Sequence, residues 1–139
     1  MEAQIKNLFN HYLKGFKDYS LECVQQCYTL PCTLHTPDKL AYIENQEKFE
    51  KEFIDIFAIL KQANTKDILA TRASYAKSGG NGWDICIDWA FISESGDVFT
   101  DFCAFYHVIE TEGKLGIVSV VSHSIEQSVS LANMLVIEE

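Results

Sequence analysis

The sequence predicts an α+β fold in which N-terminal helices pack into a strongly curved antiparallel sheet. In the first half, apolar residues recur at helical spacing, whereas the second half has long extended stretches joined by glycine-containing turns. The 139 residues fit a single domain, expected at residues 1–125. A tail follows at residues 126–139. Because it carries an apolar run, we expect the tail to dock on its own domain or on a partner subunit.

Three helices are predicted in the first half. The first, at residues 2–17, has its apolar side chains on one stripe. A short second helix follows, which Asp18 or Ser20 can cap, and it stops before Pro31. Two short strands then flank a turn at Pro37, and a longer helix opens at Asn45. One face of that helix needs a large apolar surface to pack against, because it carries Phe49, Phe53 and Phe57.

The second half predicts an antiparallel meander with a definite register. Its first strands are expected at residues 68–77 and 83–94, and Ser95-Gly96 and Glu112-Gly113 are typical of tight hairpin turns. Counting pairs outward from two-residue turns sorts the side chains onto two faces. The predicted inner face is almost wholly apolar and consists of four rows: Trp89–Phe102–His123, Ile87–Ala104–Val121, Ile85–Tyr106–Ser119 and Trp83–Val108–Ile117.

The opposite, convex face mixes polar and apolar side chains in the same register. It is too polar for a core and too apolar for a fully solvated surface, which is typical of an interface. A homodimer through this face is therefore predicted. Its members are Asp84, Cys86, Asp88, Ala90, Asp101, Cys103, Phe105, His107, Val118, Val120 and Ser122.

Composition excludes several classes of function. The net charge of −9 and pI near 4.8 disfavour a nucleic acid or an anionic membrane surface as partner. The first residues have no signal-peptide pattern, and no apolar run approaches the roughly 20 residues that span a bilayer. Five cysteines without zinc-site spacing indicate reduced, mostly buried thiols. We therefore predict a cytoplasmic protein without a metal site.

Three segments carry a resemblance to a known family. They are Cys27-Tyr28-Thr29-Leu30-Pro31-Cys32 after the second helix, the aromatic strand Phe105-Tyr106-His107-Val108, and Gly113-Lys114-Leu115-Gly116-Ile117 leading to His123. With the order of the elements, residues 1–125 resemble the nuclear transport factor 2-like superfamily, in particular its polyketide-cyclase-like and small bacterial protein branch.

The resemblance implies a cone-shaped α+β barrel that holds a small apolar or mixed-polarity molecule. Superfamily members include cofactor-independent isomerases, dehydratases and cyclases, and also domains that only bind proteins, so fold alone does not choose between them. In the ketosteroid isomerase type, a carboxylate base and a protonated acid face the cone interior. The predicted register leaves no acid on the inner face of the meander. The alternative function is a non-catalytic dimerisation or protein-binding module whose cone is filled by its own side chains.

The candidate site residues follow from this register. If the protein is an enzyme, His123 would transfer a proton and Tyr106 would stabilise developing charge on oxygen, without a metal or organic cofactor. The ligand-binding residues are predicted to be Trp89, Phe102 and Ser119 on the sheet, and Tyr12, Tyr28 and His35 at the mouth of the cone.

Overall fold

Residues 1–138, which the computed structural model describes, form three α-helices, one 3-10 turn and seven strands. The helices are α1 (Glu2–Lys17), α2 (Leu21–Gln25) and α3 (Gln46–Gln62), and the 3-10 turn is Ile125–Gln127. The strands are β1 (Tyr28–His35), β2 (Leu40–Ile43), β3 (Thr65–Gly79), β4 (Gly82–Ser93), β5 (Val98–Thr111), β6 (Lys114–His123) and β7 (Asn133–Leu135).

The strands form one curved, unclosed sheet in the order β2-β1-β6-β5-β4-β3-β7. This arrangement confirms the predicted α+β cone. One pairing differs from the all-antiparallel expectation, since β1 runs parallel to β6. The other neighbouring strands are antiparallel. The helices pack on the concave face, where they and the sheet share one apolar core.

The helix ends lie where the capping residues indicated. The Ser20 hydroxyl accepts a hydrogen bond from the amide of Cys23 at 3.2 Å, and Asn45 Oδ1 accepts one from the amide of Lys48 at 3.0 Å. The aromatic stripe of α3 is buried, as expected, through Phe49, Phe53 and Phe57. None of the helices within residues 1–138 combines the length and apolar character needed to cross a membrane.

The predicted register between β4 and β5 is confirmed. Trp89 pairs with Phe102 and Ile85 with Tyr106. The connecting turn is nevertheless longer than expected, because the amide of Ser93 donates to the carbonyl of Asp97 around residues 94–96. A bulge beside Phe91 compensates for the extra turn residue and restores the register.

The predicted register between β5 and β6 is correct only near the turn. Val108 pairs with Ile117 as expected, but a bulge then shifts all later pairs by one residue. His123 therefore lies opposite Cys103 rather than Phe102, and Ser119 opposite His107 rather than Tyr106. A shift of one residue exchanges the two faces of a strand. The predicted inward placement of Ser119, Val121 and His123 is wrong, and so is the predicted outward placement of Val120 and Ser122.

The bulge in β6 lies beside an irregularity in β1. Pairing between these strands is interrupted between Tyr28 and Thr33, a stretch containing Pro31, which has no amide hydrogen to donate. The chains approach so closely there that a Cβ on Gly116 would lie 1.7 Å from the Thr29 hydroxyl oxygen. Bulges bend a strand and increase its local twist, so this region contributes to the curvature of the sheet.

The tail runs across the convex face of its own sheet. The backbone amide of Leu131 donates to the Ser74 hydroxyl at 2.8 Å, and β7 then pairs with β3. In the apolar run that follows, Leu135 and Ile137 are buried, whereas Met134 and Val136 point outward. Glu139, the last residue of the predicted tail, lies outside the described residues.

The tail covers part of the face predicted to form a dimer. Ser128 donates to the Asp88 carboxylate and accepts from Arg72 at 2.6 Å, while Arg72 also contacts Asp88 at 3.3 Å. Cys86 and Cys103 lie under the same segment and are buried. The polar character of this part of the convex face therefore serves contacts within the chain.

Candidate functional site

A cavity of about 250 Å³ lies between the helices and the concave face of the sheet. Helices α1 and α3 supply one wall, and β1, β3, β4, β5 and β6 supply the rest. Its lining is mainly aromatic and aliphatic: Tyr12, Leu13, Phe16, Tyr28, Leu34, His35, Thr36, Phe53, Ile56, Leu60, Ile68, Trp89, Phe91, Phe102, Ala104, Tyr106, Val120 and Ser122.

Six of the eight residues predicted for the site line this cavity. Trp89, Phe102 and Tyr106 come from β4 and β5, and the others are Tyr12, Tyr28 and His35.

His123 and Ser119 do not line the cavity. His123 is exposed, and its ring lies 5.7 Å from that of Phe105, whose side chain is on the convex face. The bulge in β6 causes both displacements. In their place the structure brings Val120 and Ser122 into the wall, two residues that the register had assigned to the opposite face.

Several wall residues from the helices were not included in the predicted site. Phe16 of α1 and Phe53 and Leu60 of α3 belong to the apolar stripes that the helical periodicity indicated. The periodicity identified them as packing residues. Helical periodicity does not show how far the apolar faces of α1 and α3 lie from the sheet. The cavity exists because of that separation.

The floor of the cavity carries a buried hydrogen-bonded cluster. The indole nitrogen of Trp89 donates to the hydroxyl of Tyr106 at 2.9 Å. The rings of Tyr106 and Tyr12 meet edge-on, with their centroids 5.7 Å apart. Tyr12 and Tyr28 complete the cluster with an oxygen-to-oxygen distance of 3.3 Å. The side chains that form this floor are at most 7% exposed.

The three tyrosines of the floor are held in their neutral form. Burial is the main cause that raises the pKa of Tyr12, Tyr28 and Tyr106 well above the ordinary tyrosine value. Their mutual electrostatic repulsion when ionised acts in the same direction. At neutral pH the floor therefore presents hydroxyl donors and no charge.

Aromatic packing fixes the position of these hydroxyls. The Tyr106 ring meets Phe9 edge-on at 4.9 Å, and Tyr28 meets Phe53 at 5.5 Å. Tyr12 lies 4.9 Å from Phe16. The first two are edge-to-face and the third is tilted. Contacts of this kind restrict ring orientation, so the polar floor is preorganised.

The rim is more exposed and more polar than the floor. His35 is exposed, while Thr36, Ser122, Phe91 and Phe102 are half-buried. Among the described lining residues, His35 is the only ionisable side chain apart from the tyrosines, and none is an aspartate or a glutamate. The carboxylate pair of the ketosteroid isomerase type thus has no counterpart in the lining.

The two acids of β4 lie on the convex face instead. Asp88 contacts Arg72 and Ser128, as described above. Asp84 Oδ1 lies 2.8 Å from Nδ1 of His107, the residue directly opposite it on β5. Both side chains of this second pair are substantially exposed, so their attraction contributes little to stability.

The five cysteines are all free thiols. Burial raises the pKa of Cys27 to about 12 and that of Cys32 to about 11. Because the thiolate is the reactive form of cysteine, these two side chains behave as small hydrophobic residues. Across residues 1–138, no group of three or more His, Cys, Asp or Glu side chains is arranged to hold a metal ion.

No family model matches the chain. No curated protein sequence matches it either. Solved structures do match. A nuclear transport factor 2-like protein with a cystatin-like fold from Novosphingobium aromaticivorans superposes with a TM-score of 0.73 at 10% identity, over 91% of this chain and 83% of that chain.

Two further similar structures have names that mention an activity. A candidate ketosteroid isomerase from Shewanella frigidimarina gives a TM-score of 0.67 at 11% identity, covering 84% of this chain and 92% of its own. A candidate aromatic ring hydroxylase from Novosphingobium aromaticivorans gives a TM-score of 0.66 at 14% identity, covering 94% of this chain and 92% of its own. At these identities the likeness shows the fold alone. The chain has the nuclear transport factor 2-like cone fold, as its sequence resemblance implied.

Proposed function

We propose that this protein binds a small, mainly apolar molecule in the cavity of its cone. The observation that carries the proposal is the cavity itself, which combines aromatic walls with a buried, uncharged floor of hydroxyl groups. An apolar enclosure with few, fixed polar groups is typical of small-molecule sites. A module that served only for protein contacts would have no use for such an enclosure, so the cavity favours binding of a small molecule over that alternative.

The size of the cavity restricts the ligand. Pockets for drug-sized ligands occupy roughly 300–1,000 Å³, and about 250 Å³ lies below that range. A compact molecule of one or two rings fits this volume. The names of two structural neighbours refer to a ketosteroid and to an aromatic ring, which is consistent with a cyclic ligand here.

An isomerase, dehydratase or cyclase activity would use the same cavity. His35 at the rim is then the side chain that would exchange a proton with the ligand, and the floor tyrosines would stabilise charge on oxygen. This role replaces the one predicted for His123. Binding requires neither step, and binding is therefore the function we propose.

The uncovered part of the convex face is the proposed homodimer interface. Phe105 and Val121 pair there and are only half-buried within the chain. His107, Ser119 and His123 surround them. Sedimentation of Phe105→Glu against the wild type tests the proposal, which predicts a monomeric variant; an unchanged mass for both would contradict it. The free thiols support the proposed cytoplasmic location, because that compartment keeps cysteines reduced.

Two adjacent valines provide a matched test of binding. Val120 lines the cavity, whereas Val121 is on the convex face. We expect NMR titration with tetralin, two fused rings without a polar group, to show saturable binding to the wild type. Val120→Phe should fill the cavity and weaken binding at least tenfold, and Val121→Phe should leave it unchanged. Absence of wild-type binding, or equal effects of the two substitutions, would contradict the proposal.

A further inference from the structure

Aromatic side chains form a continuous series from the floor of the cavity to the protein surface. The indole of Trp89 contacts the Tyr106 hydroxyl on the floor, and Phe102 lies directly opposite Trp89 on β5. The ring of Phe102 meets that of Phe91 with the centroids 5.5 Å apart, and Phe91 meets Phe99 at 6.2 Å. All of these residues except Phe99 line the cavity. Phe99 therefore continues the apolar wall beyond the mouth of the cavity.

Solvent exposure increases outward along this series. Trp89 is 4% exposed, Phe91 and Phe102 are half-buried, and Phe99 is 41% exposed. Val98, the neighbour of Phe99, is 54% exposed. The outer members thus leave apolar surface in water beside the opening of a mainly apolar cavity. Exposed apolar surface that is contiguous with a pocket is typical of a binding site.

A bulge near the end of β4 and β5 positions the ring of Phe99. Phe91 pairs with Thr100 and Ile92 pairs with Val98, so Phe99 is the extra residue between these two pairs. Successive residues of a regular strand point to opposite faces, which would turn Phe99 away from Phe91. Because a bulge redirects side chains, the ring of Phe99 lies against that of Phe91 instead.

The cavity alone holds only part of a larger ligand. Its volume of about 250 Å³ is below the roughly 300–1,000 Å³ of sites that enclose a drug-sized molecule. A compact ring system fills that space, and any substituent on it has to leave through the mouth. Phe91 and Phe99 are the apolar surface that such a substituent meets there.

We propose that the ligand has two parts, a ring system inside the cavity and an apolar chain that leaves through the mouth and lies along Phe91 and Phe99. The outer end of the chain carries no negative charge. This inference rests on the proposed binding function. It adds a second subsite on the hairpin of β4 and β5, and it names the ligand class as an alkyl-substituted ring compound.

The charge of the same hairpin disfavours an anionic chain end. Glu94, Asp97 and Asp101 are exposed in or beside the turn, and residues 91–102 contain no lysine or arginine. A carboxylate at the end of the chain is repelled by these acids, whereas a neutral or cationic group is not. Because these charges are exposed to solvent, the repulsion weakens as salt is added.

Four probes with one ring system test the inference. They are tetralin, 6-butyltetralin, and tetralin with a four-carbon chain at the same position that ends in an amine or in a carboxylate. We expect the wild type to bind 6-butyltetralin about 10-fold more tightly than tetralin, because four methylene groups become partly buried. At low ionic strength the amine should bind at least about threefold more tightly than the carboxylate.

Phe99→Ser and Leu69→Ser form a matched pair of variants. Leu69 is 43% exposed, close to the value for Phe99, but it lies opposite Ala90 on the convex face. Phe99→Ser should remove most of the affinity gained from the butyl chain and leave tetralin binding unchanged, since Phe99 does not line the cavity. Leu69→Ser should keep that gain. An equal gain in the wild type and both variants would overturn the inference.

Nuclear Overhauser contacts provide a readout in the unmodified protein. In the wild-type complex, the terminal methyl group of 6-butyltetralin should be close to the ring of Phe99. Contacts of this methyl group with Tyr12 or Tyr28 instead, no gain from the chain, or tighter binding of the carboxylate than of the amine would overturn the inference. In each of these cases tetralin still binds and the proposed function stands. If tetralin does not bind the wild type, the proposed function fails as well.

Discussion

The indole nitrogen of Trp89 lies 2.9 Å from the hydroxyl oxygen of Tyr106, and both groups are buried at the floor of the cavity. Tyr106→Phe would leave the indole N–H without its acceptor. We expect a loss of about 1–3 kcal/mol in the free energy of unfolding, measured with urea. Tyr42, at 59% exposure, supplies the control, and Tyr42→Phe should change stability by less than about 0.5 kcal/mol. Equal stabilities for the two variants would argue against a structural role of this contact.

Alkaline pH should destabilise the protein through its buried tyrosines. In the folded state the pKa of Tyr12, Tyr28 and Tyr106 is raised, so above the ordinary value of about 10 the unfolded chain releases protons that the folded chain retains. Stability is therefore complete below that pH and declines as the pH rises. With three such groups, the free energy of unfolding should fall by up to about 4 kcal/mol per pH unit.

Ultraviolet absorbance of tyrosinate measures this coupling directly. Three of the six tyrosines should ionise only together with unfolding, followed in parallel by circular dichroism. Ionisation of all six in a protein that keeps its folded spectrum would contradict the buried floor.

Neighbouring residues of the tail should differ sharply in their contribution to stability. Leu135 is 4% exposed and Val136 is 65% exposed. Leu135→Ala should lower the free energy of unfolding by about 2–5 kcal/mol, because it removes buried methyl groups and leaves a void. Val136→Ala should cost less than about 0.5 kcal/mol. Chemical denaturation of both variants checks this pair, and similar losses would mean that the tail does not dock as described.

Gly116 should tolerate a side chain only when the neighbouring Thr29 is replaced by a smaller residue. A Cβ at this position would lie 1.7 Å from the hydroxyl oxygen and 2.8 Å from the Cβ of Thr29. We expect Gly116→Ala to destabilise the protein by about 1–3 kcal/mol, the usual cost of overpacking. Thr29→Gly in the same chain should recover part of that loss. A double-mutant cycle measures the coupling, and strictly additive effects would contradict the close approach of β1 and β6.

His123 and Phe102 should have opposite importance for ligand binding. Phe102 lines the cavity, whereas His123 is exposed on the convex face. Phe102→Ala should weaken tetralin binding by about 5- to 10-fold through lost apolar contact. His123→Ala should leave the affinity unchanged. Calorimetric titration of the two variants with tetralin tests this. Weaker binding by His123→Ala would contradict the outward placement of His123 and support the inward register that the sequence predicted.

Local signals in the sequence were sufficient for the fold and for one hairpin. Asn45 marked the start of α3, and of the two candidate caps for α2, Asp18 and Ser20, the structure uses Ser20. The pairing of Trp89 with Phe102 followed from counting outward from a turn. That count succeeded even though the turn was longer than assumed, because the bulge beside Phe91 offset the difference. Two local deviations cancelled, and the faces of β4 and β5 were predicted correctly.

The same count failed for β6 because its bulge depends on a distant part of the chain. No residue near Val118 marks an extra position in the strand. The irregularity lies beside β1, where Pro31 interrupts pairing and Thr29 approaches Gly116. A contact between segments so far apart in sequence is not encoded in local periodicity. His123 was consequently assigned to the cavity, and Val120 was assigned to the wrong face.

The central claim is that the cone binds a small ring compound, and the most direct measurement is a crystal structure with 7-bromo-1-tetralone, using the anomalous signal of bromine. The account predicts a bromine peak inside the cavity lined by Phe53, Trp89 and Phe102. A cavity without a peak at saturating probe, or a peak only on the convex face, would contradict it.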